Sequence, residues 1–413
     1  MNVIEDRECV GVEEDQGVGM KEGWPVVPLG ELCDVVGGGT PSKENHSFYL
    51  GVIPWATVRD MRQDLITETE FCITEDAVRN SSTNIISSGN VVIATRVGLG
   101  KVCLLGQDTA INQDLRGIVP RNLEKLAVRY LYWWLKSVSS LIVAEGTGAT
   151  VQGVKLPFVK SLPVPLPPLP EQQRIVALLD EAFAGLATAK ANAERNLQNA
   201  RAIFESHLQT VFSQRGVGWV EKTLEDVSIT FGRGKSKHRP RNDPELYGGK
   251  YPFIQTGDIR NADHFITAYS QTYNEVGLSQ SKLWPNGTIC ITIAANIAET
   301  AILGFDACFP DSVIGVVANP DEAETGFIEY LLQSFKARIQ AMGKGSAQAN
   351  INLATFEDQR FPFPSVIKQK ELVEFLDHLA AETQRLTRLY ERKLAALEEL
   401  KKSLLHQAFN GEL

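Results

Sequence analysis

The chain has 413 residues, is 43% hydrophobic and carries a formal net charge of -9. It is too long for one ordinary domain and apolar enough to bury a large core. The acidic balance argues against indiscriminate coating of nucleic acid, although it leaves room for a local basic surface.

In chain order, residues 1–23 are acidic and glycine-rich, show no signal-peptide pattern and read as a flexible extension. Residues 24–168 are strand-rich, with β-branched runs such as Val91 to Ala94 and Gly117 to Val119 broken by Gly, Asn and Pro. A helix is expected over Leu126 to Val138. The string "LPPLPEQQRIVALLD" (Leu166 to Asp180) then stops the strand pattern and starts a long helix, assigned to 169–215. Proline lacks an N–H and disfavours helix in the residue before it, and Glu171 suits the positive end of the helix. Ile175, Leu179, Ala182, Leu186, Ala189 and Ala193 recur three and four apart, and the stripe drifts on to Leu197, Ala200, Phe204, Leu208 and Val211.

Residues 216–366 form a second strand-rich stretch, with strands at Ile289 to Ile293 and Ile314 to Val317 and a helix at Gly326 to Met342. Its apolar run from Thr288 to Phe305 is interrupted by Asn296 and Glu299 and reads as buried strands, not a membrane span. After "FPFPSVIKQKELVEFLD" (Phe361 to Asp377) comes a second long helix with its tail, 367–413. Its stripe is Leu372, Leu376, Leu379, Thr383, Leu386, Tyr390, Leu397, Leu400 and Leu404. About 40 residues of helix span ~60 Å. A seam that long needs a partner helix, and the two helices are expected to pair as an antiparallel coiled coil; core helices of globular domains are the alternative.

The chain is written twice. "GWPVVPLGELCDVV" (Gly23 to Val36) resembles "GWVEKTLEDVSITF" (Gly218 to Phe231), and "IPWATVRDMR" (Ile53 to Arg62) resembles "YPFIQTGDIR" (Tyr251 to Arg260). "SGNVVIAT" (Ser88 to Thr95) matches "PNGTICIT" (Pro285 to Thr292), and "NQDLRGIV" (Asn112 to Val119) matches "PDSVIGVV" (Pro310 to Val317). "GTGATVQGVKL" (Gly146 to Leu156) matches "GKGSAQANINL" (Gly343 to Leu353). The order is preserved throughout, so this is a duplicated domain with its linker rather than a solenoid array.

Catalytic patterns are missing. "GRGKS" (Gly232 to Ser236) is not a P-loop, because Ile229 stands where the first glycine belongs. There is no H-E-x-x-H and no G-x-S-x-G. "ANPDE" (Ala318 to Glu322) lacks the second proline and the aromatic of the amino-methyltransferase tetrad, and the six His do not cluster at ligand spacing. The six Cys form no C-x-x-C pair and read as reduced, mostly buried thiols. No catalytic residue and no metal site is therefore assigned.

What is present suits a polyanion. Arg233, Lys235, Lys237, Arg239 and Arg241 fall within nine residues, positioned to contact phosphates unless the loop is simply solvated. The equivalent slot in the first copy is "VGGGTPSKENHSF" (Val36 to Phe48): its glycines allow close backbone approach to a ligand, and Thr40, Ser42 and Lys43 can donate to phosphate. A plain turn is the alternative. Other matched loops hold Arg59, Arg96, Asn112, Gln113, Thr150 and Gln152 in the first copy, and Gln255, Thr256, Asn296, Gln348, Asn350 and Asn352 in the second. Asn and Gln can pair bidentately with adenine, and Arg with guanine; capping a turn is the competing role for each.

The layout and the strings "GGGTPSKEN", "IPWATVRDM", "INQDL", "PLPPLPEQQRIVALLD" and the closing "LKKSLLHQAFNGEL" resemble the specificity subunit of type I restriction-modification systems, over roughly residues 24 to 413. The resemblance implies an α+β chain of two pseudo-repeated target-recognition domains, each reading one half of a split, asymmetric duplex DNA site, separated by the helical spacer. It implies a non-catalytic, cytoplasmic protein without a cofactor of its own. Two modification subunits would bring S-adenosylmethionine and methylate adenine N6, and two restriction subunits would bring ATP and Mg. The second copy departs from the pattern: it lacks the Gly-Gly-Thr-Pro-Ser wording and has Asp311 where the first has Gln113. A non-DNA coiled-coil scaffold or dimerisation protein is one alternative, and a self-sufficient restriction or methyltransferase enzyme is another.

Overall fold

In a computed structural model, residues 24–146, 153–294, 296–343, 351 and 353–413 are described. The acidic extension lies outside them. The chain divides into two compact units, Met1–Ala193 with Lys393–Leu413, and Glu194–Arg392. The units are not consecutive stretches, because each long helix contributes one half to each unit. Packing, rather than chain order, decides the division.

The four longest helices among the described residues are α1 (Val128–Ser137), α2 (Leu169–Ser213), α3 (Thr325–Gly343) and α4 (Val366–Asn410). In the first unit a five-stranded sheet runs in the order Cys33–Gly37, Leu115–Pro120, Val91–Ala94, Val102–Leu105, Leu65–Ile66. A four-stranded sheet follows the order Phe71–Ile73, Ile53–Ala56, Thr109–Ile111, Asn84–Ile86. The second unit repeats both. Its five strands are Ser228–Arg233, Val313–Ala318, Ile289–Thr292, Thr300–Leu303 and Phe265–Ile266, and its four are Gln271–Tyr273, Tyr247–Phe253, Ala307–Cys308 and Leu283–Trp284. The strand at Val91–Ala94 is apolar at every position because both faces are covered: Val91 and Ile93 pack with α1, while Val92 and Ala94 pack with Ile86 and Ile111 on the other side. Ile289 and Ile291 pack with α3 while Cys290 lies in the opposite cluster, so the second unit does the same.

The twice-written junction is held by one buried glutamine in each unit. Gln172 donates from Nε2 to the carbonyls of Lys125 and Pro167 and accepts the Ala127 N–H at 2.9 Å. Gln369 donates to the carbonyls of Glu322 and Pro364 and accepts the Glu324 N–H at 2.9 Å. Every partner is shifted by the same 197 positions. Both side chains are fully buried and satisfy backbone groups that would otherwise be orphaned where a proline-rich strand meets a helix. Two turns on, Asp180 accepts from Trp133 Nε1 and Asp377 from the Tyr330 hydroxyl, again 197 positions apart.

The long helices run antiparallel in each unit. Lys190 meets Glu398 at 2.7 Å in the first, and Arg201 meets Glu391 at 2.8 Å in the second. The apolar seam follows the expected stripe except at Leu400, which is exposed: Leu397 and Leu404 turn inward and Leu400 falls to the side between them. The tails of the helices are structural. Phe212, at the end of α2, packs on Phe327 with ring centroids 5.3 Å apart, and Phe409, at the end of α4, packs on Tyr130 at 5.2 Å.

Candidate nucleic-acid interface

The first unit carries a cleft of about 1070 Å³ beside its four-stranded sheet. Thr40, Lys43, Arg59, Asn112 and Gln113 all line it, so the structure brings together five residues that lie up to 73 positions apart. Its apolar floor is Trp55, packed edge-on against Tyr49 and Phe71. Ser42 is exposed on the same loop. Lys101 adds a cation that the repeat pattern did not flag.

The glycines of the loop serve a different purpose from close approach to a ligand. A Cβ on Gly38 would lie 2.0 Å from the Asn112 carbonyl oxygen, and one on Gly39 2.2 Å from Ser82 Oγ. They let the loop lie flat on its own sheet, where the Gly39 N–H donates to the Ile111 carbonyl at 3.0 Å. Gly234 occupies the matching place in the second unit: its Cβ would lie 2.4 Å from the Phe309 carbonyl oxygen, and its N–H donates to Val313.

The polar residues of the cleft divide by how they are used. Asn112 is buried; its Nδ2 donates to Asp114 at 3.0 Å and its Oδ1 accepts the Asp114 N–H at 3.1 Å, so both ends of its amide are committed to a turn. Gln113 is half-buried and accepts from the Thr40 hydroxyl. Its Nε2 has no partner among the described residues. Arg59 is exposed and 3.5 Å from Glu70. Arg96 does not line the cleft; it is exposed, 3.7 Å from Asp114, which does. Next to it, Arg116 donates to the carbonyls of Gln113 and Leu115, and burial, with the neighbouring Arg96 charge, pushes its guanidinium pKa down. Thr57 and Asp60, unnoticed in the sequence, close the turn that carries Arg59 through two hydrogen bonds of 2.7 and 3.0 Å.

In the second unit the matching face is two smaller clefts, of about 340 and 300 Å³, that share Arg241 and Ser312. Gln255 and Thr256 line the larger and Arg233 the smaller. The Gln255 N–H donates to Asp258, the counterpart of the Thr57–Asp60 turn. Asn296 sits apart, its carbonyl accepting from Thr292 and its side chain 3.4 Å from Arg260. The basic loop is tied down. Gln280 Oε1 accepts the N–H groups of Lys237 and His238, His238 meets Asp243 at 2.7 Å, and the Tyr247 hydroxyl donates to the Arg241 carbonyl. Its three arginines converge on one residue: Arg241 reaches the Asp311 carboxylate at 2.6 Å, Arg239 at 3.7 Å, and Arg233 donates to the Asp311 carbonyl. One carboxylate against three guanidiniums leaves the cluster net positive. Lys235 and Lys237 are exposed and form no ion pair among the described residues. Thr150, Gln152, Gln348, Asn350 and Asn352 lie outside the described residues.

Comparison with known proteins gives a consistent result. Residues 21–195 and 216–398 each match the type I restriction modification DNA specificity domain. The specificity subunit of a type I restriction enzyme of Escherichia coli is 34% identical over 209 residues, covering 48% of this chain and about half, 51%, of that relative's length. The StySPI specificity subunit of Salmonella potsdam is 21% identical over 95% of this chain and 90% of its own length. A chain solved in work on complex assembly and conformational transition of the type I R-M system shares the fold, with a TM-score of 0.76 at 19% identity, over 95% of this chain and 99% of that one. With two matched regions that together span most of its length, the chain belongs to the type I restriction-modification DNA specificity family.

Proposed function

We propose that this chain is the DNA-reading subunit of a type I restriction-modification complex and catalyses nothing itself. Each unit binds one half of a split, asymmetric duplex site, and the paired helices α2 and α4 set the number of unread base pairs between the halves. Modification subunits carrying S-adenosylmethionine methylate adenine N6 where this chain directs them, and restriction subunits using ATP and Mg complete the assembly in the cytoplasm. Among the described residues, no helix is long and apolar enough to cross a membrane.

The observation that carries this reading is the pair of matched faces. Two copies of one fold place cations and amides at the same edge of the same sheet, yet with a different side chain at the equivalent point: Gln113, paired with Thr40, in one, and Asp311, paired with Arg241, in the other. A scaffold would have no use for that divergence. Thr40, Ser42, Lys43, Arg59, Arg96 and Gln113 form the contact set of the first unit. Arg233, Lys235, Lys237, Arg239, Arg241, Gln255 and Thr256 form that of the second. Asn112 positions the turn rather than touching a base. Binding of the full chain to duplex DNA tests the reading: the affinity should fall linearly with salt on a log–log plot, by about 0.9 per phosphate contacted. Absence of binding, or a salt-independent affinity, contradicts it and favours a scaffold.

A further inference from the structure

Gln113 and Asp311 are equivalent residues, each in the middle of the turn that follows a strand of the four-stranded sheet. Each anchors the loop that precedes it in space, but with different chemistry. In the first unit the Thr40 hydroxyl donates to Gln113 Oε1. That contact holds the amide in place with its oxygen toward Thr40. Nε2 has no partner among the described residues, and Gln113 lines the large cleft. One acceptor beside one donor is the complement of the adenine N6–H and N7 edge in the major groove.

In the second unit Asp311 Oδ1 accepts from Arg241 Nη2. Among the three arginines here, Arg239 uses Nη1 on the carbonyls of Ser236 and His238, and Arg233 lies on the Asp311 backbone. Arg241 keeps Nε and Nη1 without a partner among the described residues, and its side chain borders both clefts. A carboxylate on one edge of a guanidinium holds its plane and leaves the remaining N–H groups to pair with guanine O6 and N7.

We propose that this equivalent position discriminates bases in both units, with opposite preference: Gln113 selects adenine in one half-site, and Arg241, held by Asp311, selects guanine in the other. The proposal rests on the DNA-reading function above. Full-length chain is mixed with a library of duplexes randomised across both half-sites, and the bound duplexes are sequenced. Gln113→Leu should abolish an adenine preference at one position, a loss of about 5- to 150-fold, and leave the other half-site unchanged. Arg241→Met should abolish a guanine preference of similar size in the other half-site. Asp311→Asn, which keeps the shape and removes the charge, should weaken that same guanine preference. Thermal melting checks the fold of each variant; if Arg241→Met melts early, Arg241→Gln replaces it, and guanine preference must again be lost. A wild-type motif that survives these substitutions unchanged, or a lost base other than adenine and guanine, overturns the proposal alone. A library in which the wild-type chain enriches no motif overturns the DNA-reading function and this proposal with it.

Discussion

The two units secure the same joints with opposite chemistry. The first pins its glycine loop with a neutral pair, Thr40 on Gln113; the second pins it with arginines around Asp311. The joint between the edge strand of the five-stranded sheet, Leu65–Ile66 or Phe265–Ile266, and the helix packed on the sheet differs as well. In the first unit Lys136 meets Asp64 at 2.7 Å. In the second, the fully buried Glu329 accepts from Thr300 and Gln333 at 2.7 Å each and faces His264 Nδ1 at 2.8 Å. By contrast, the glutamine lock and the aromatic tail contact are the same in both. The helix junctions have kept their chemistry while the sheet edges have not. That division is expected where the junction must hold one geometry and the edge must recognise two different things.

The strongest test of the shared part is Phe212→Ala against Phe409→Ala. Each empties an aromatic site in a core, at a cost of about 3–5 kcal/mol, and chemical denaturation should show similar losses for the two. A large loss for one and none for the other breaks the equivalence. Gln172→Ala and Gln369→Ala should each cost about 2–3 kcal/mol, because buried carbonyls and an N–H lose their partner. A negligible loss by the same measurement would mean that water replaces the amide.

The diverged part is sharpened by charge. Replacing Lys235 and Lys237 with Gln should lower the slope of DNA affinity against salt by about 0.9 for each phosphate contact removed. The same change at Lys43 should do so for the first unit. An unchanged slope would show these lysines to be only solvated. The smallest effect concerns thiols. Burial pushes the Cys33 thiol up to about 12 and the Cys103 thiol up to about 11, and Cys290 is likewise buried and raised. Alkylation at pH 8 followed by peptide mass spectrometry should therefore find Cys72, the half-buried one, modified before these three. Equal labelling would mean that the cores open readily.

The duplication and both long helices were legible in the sequence, because matched strings in preserved order and a three-four apolar stripe can be read without knowing distant contacts. Strands such as Val91–Ala94 and Val313–Ala318 were legible for the same reason. What escaped depends on distant partners. Phe409 finds Tyr130 far upstream in the chain, and nothing in either local pattern announces the pairing. Gln172 and Gln369 read as ordinary polar residues at a helix start, whereas the orphaned backbone groups around them draw both into the core. Among the candidate contact residues, Thr40, Lys43, Arg59 and Gln113, taken from separate loops, line one cleft, which no local pattern announced. Sequence could not tell Gln113, whose amide nitrogen has no partner among the described residues, from Asn112, whose amide closes a turn. Asp311 read only as a departure from Gln113, since a carboxylate in this face makes sense only once the arginines around it are seen.

One chain that reads two separated half-sites should leave a split mark on DNA. The most direct measurement is to express it with its modification subunit and map N6-methyladenine across the host genome by sequencing. The expected result is a two-part motif with a constant unread gap, present only when this chain is present. A single continuous motif, or methylation indifferent to this chain, would contradict it.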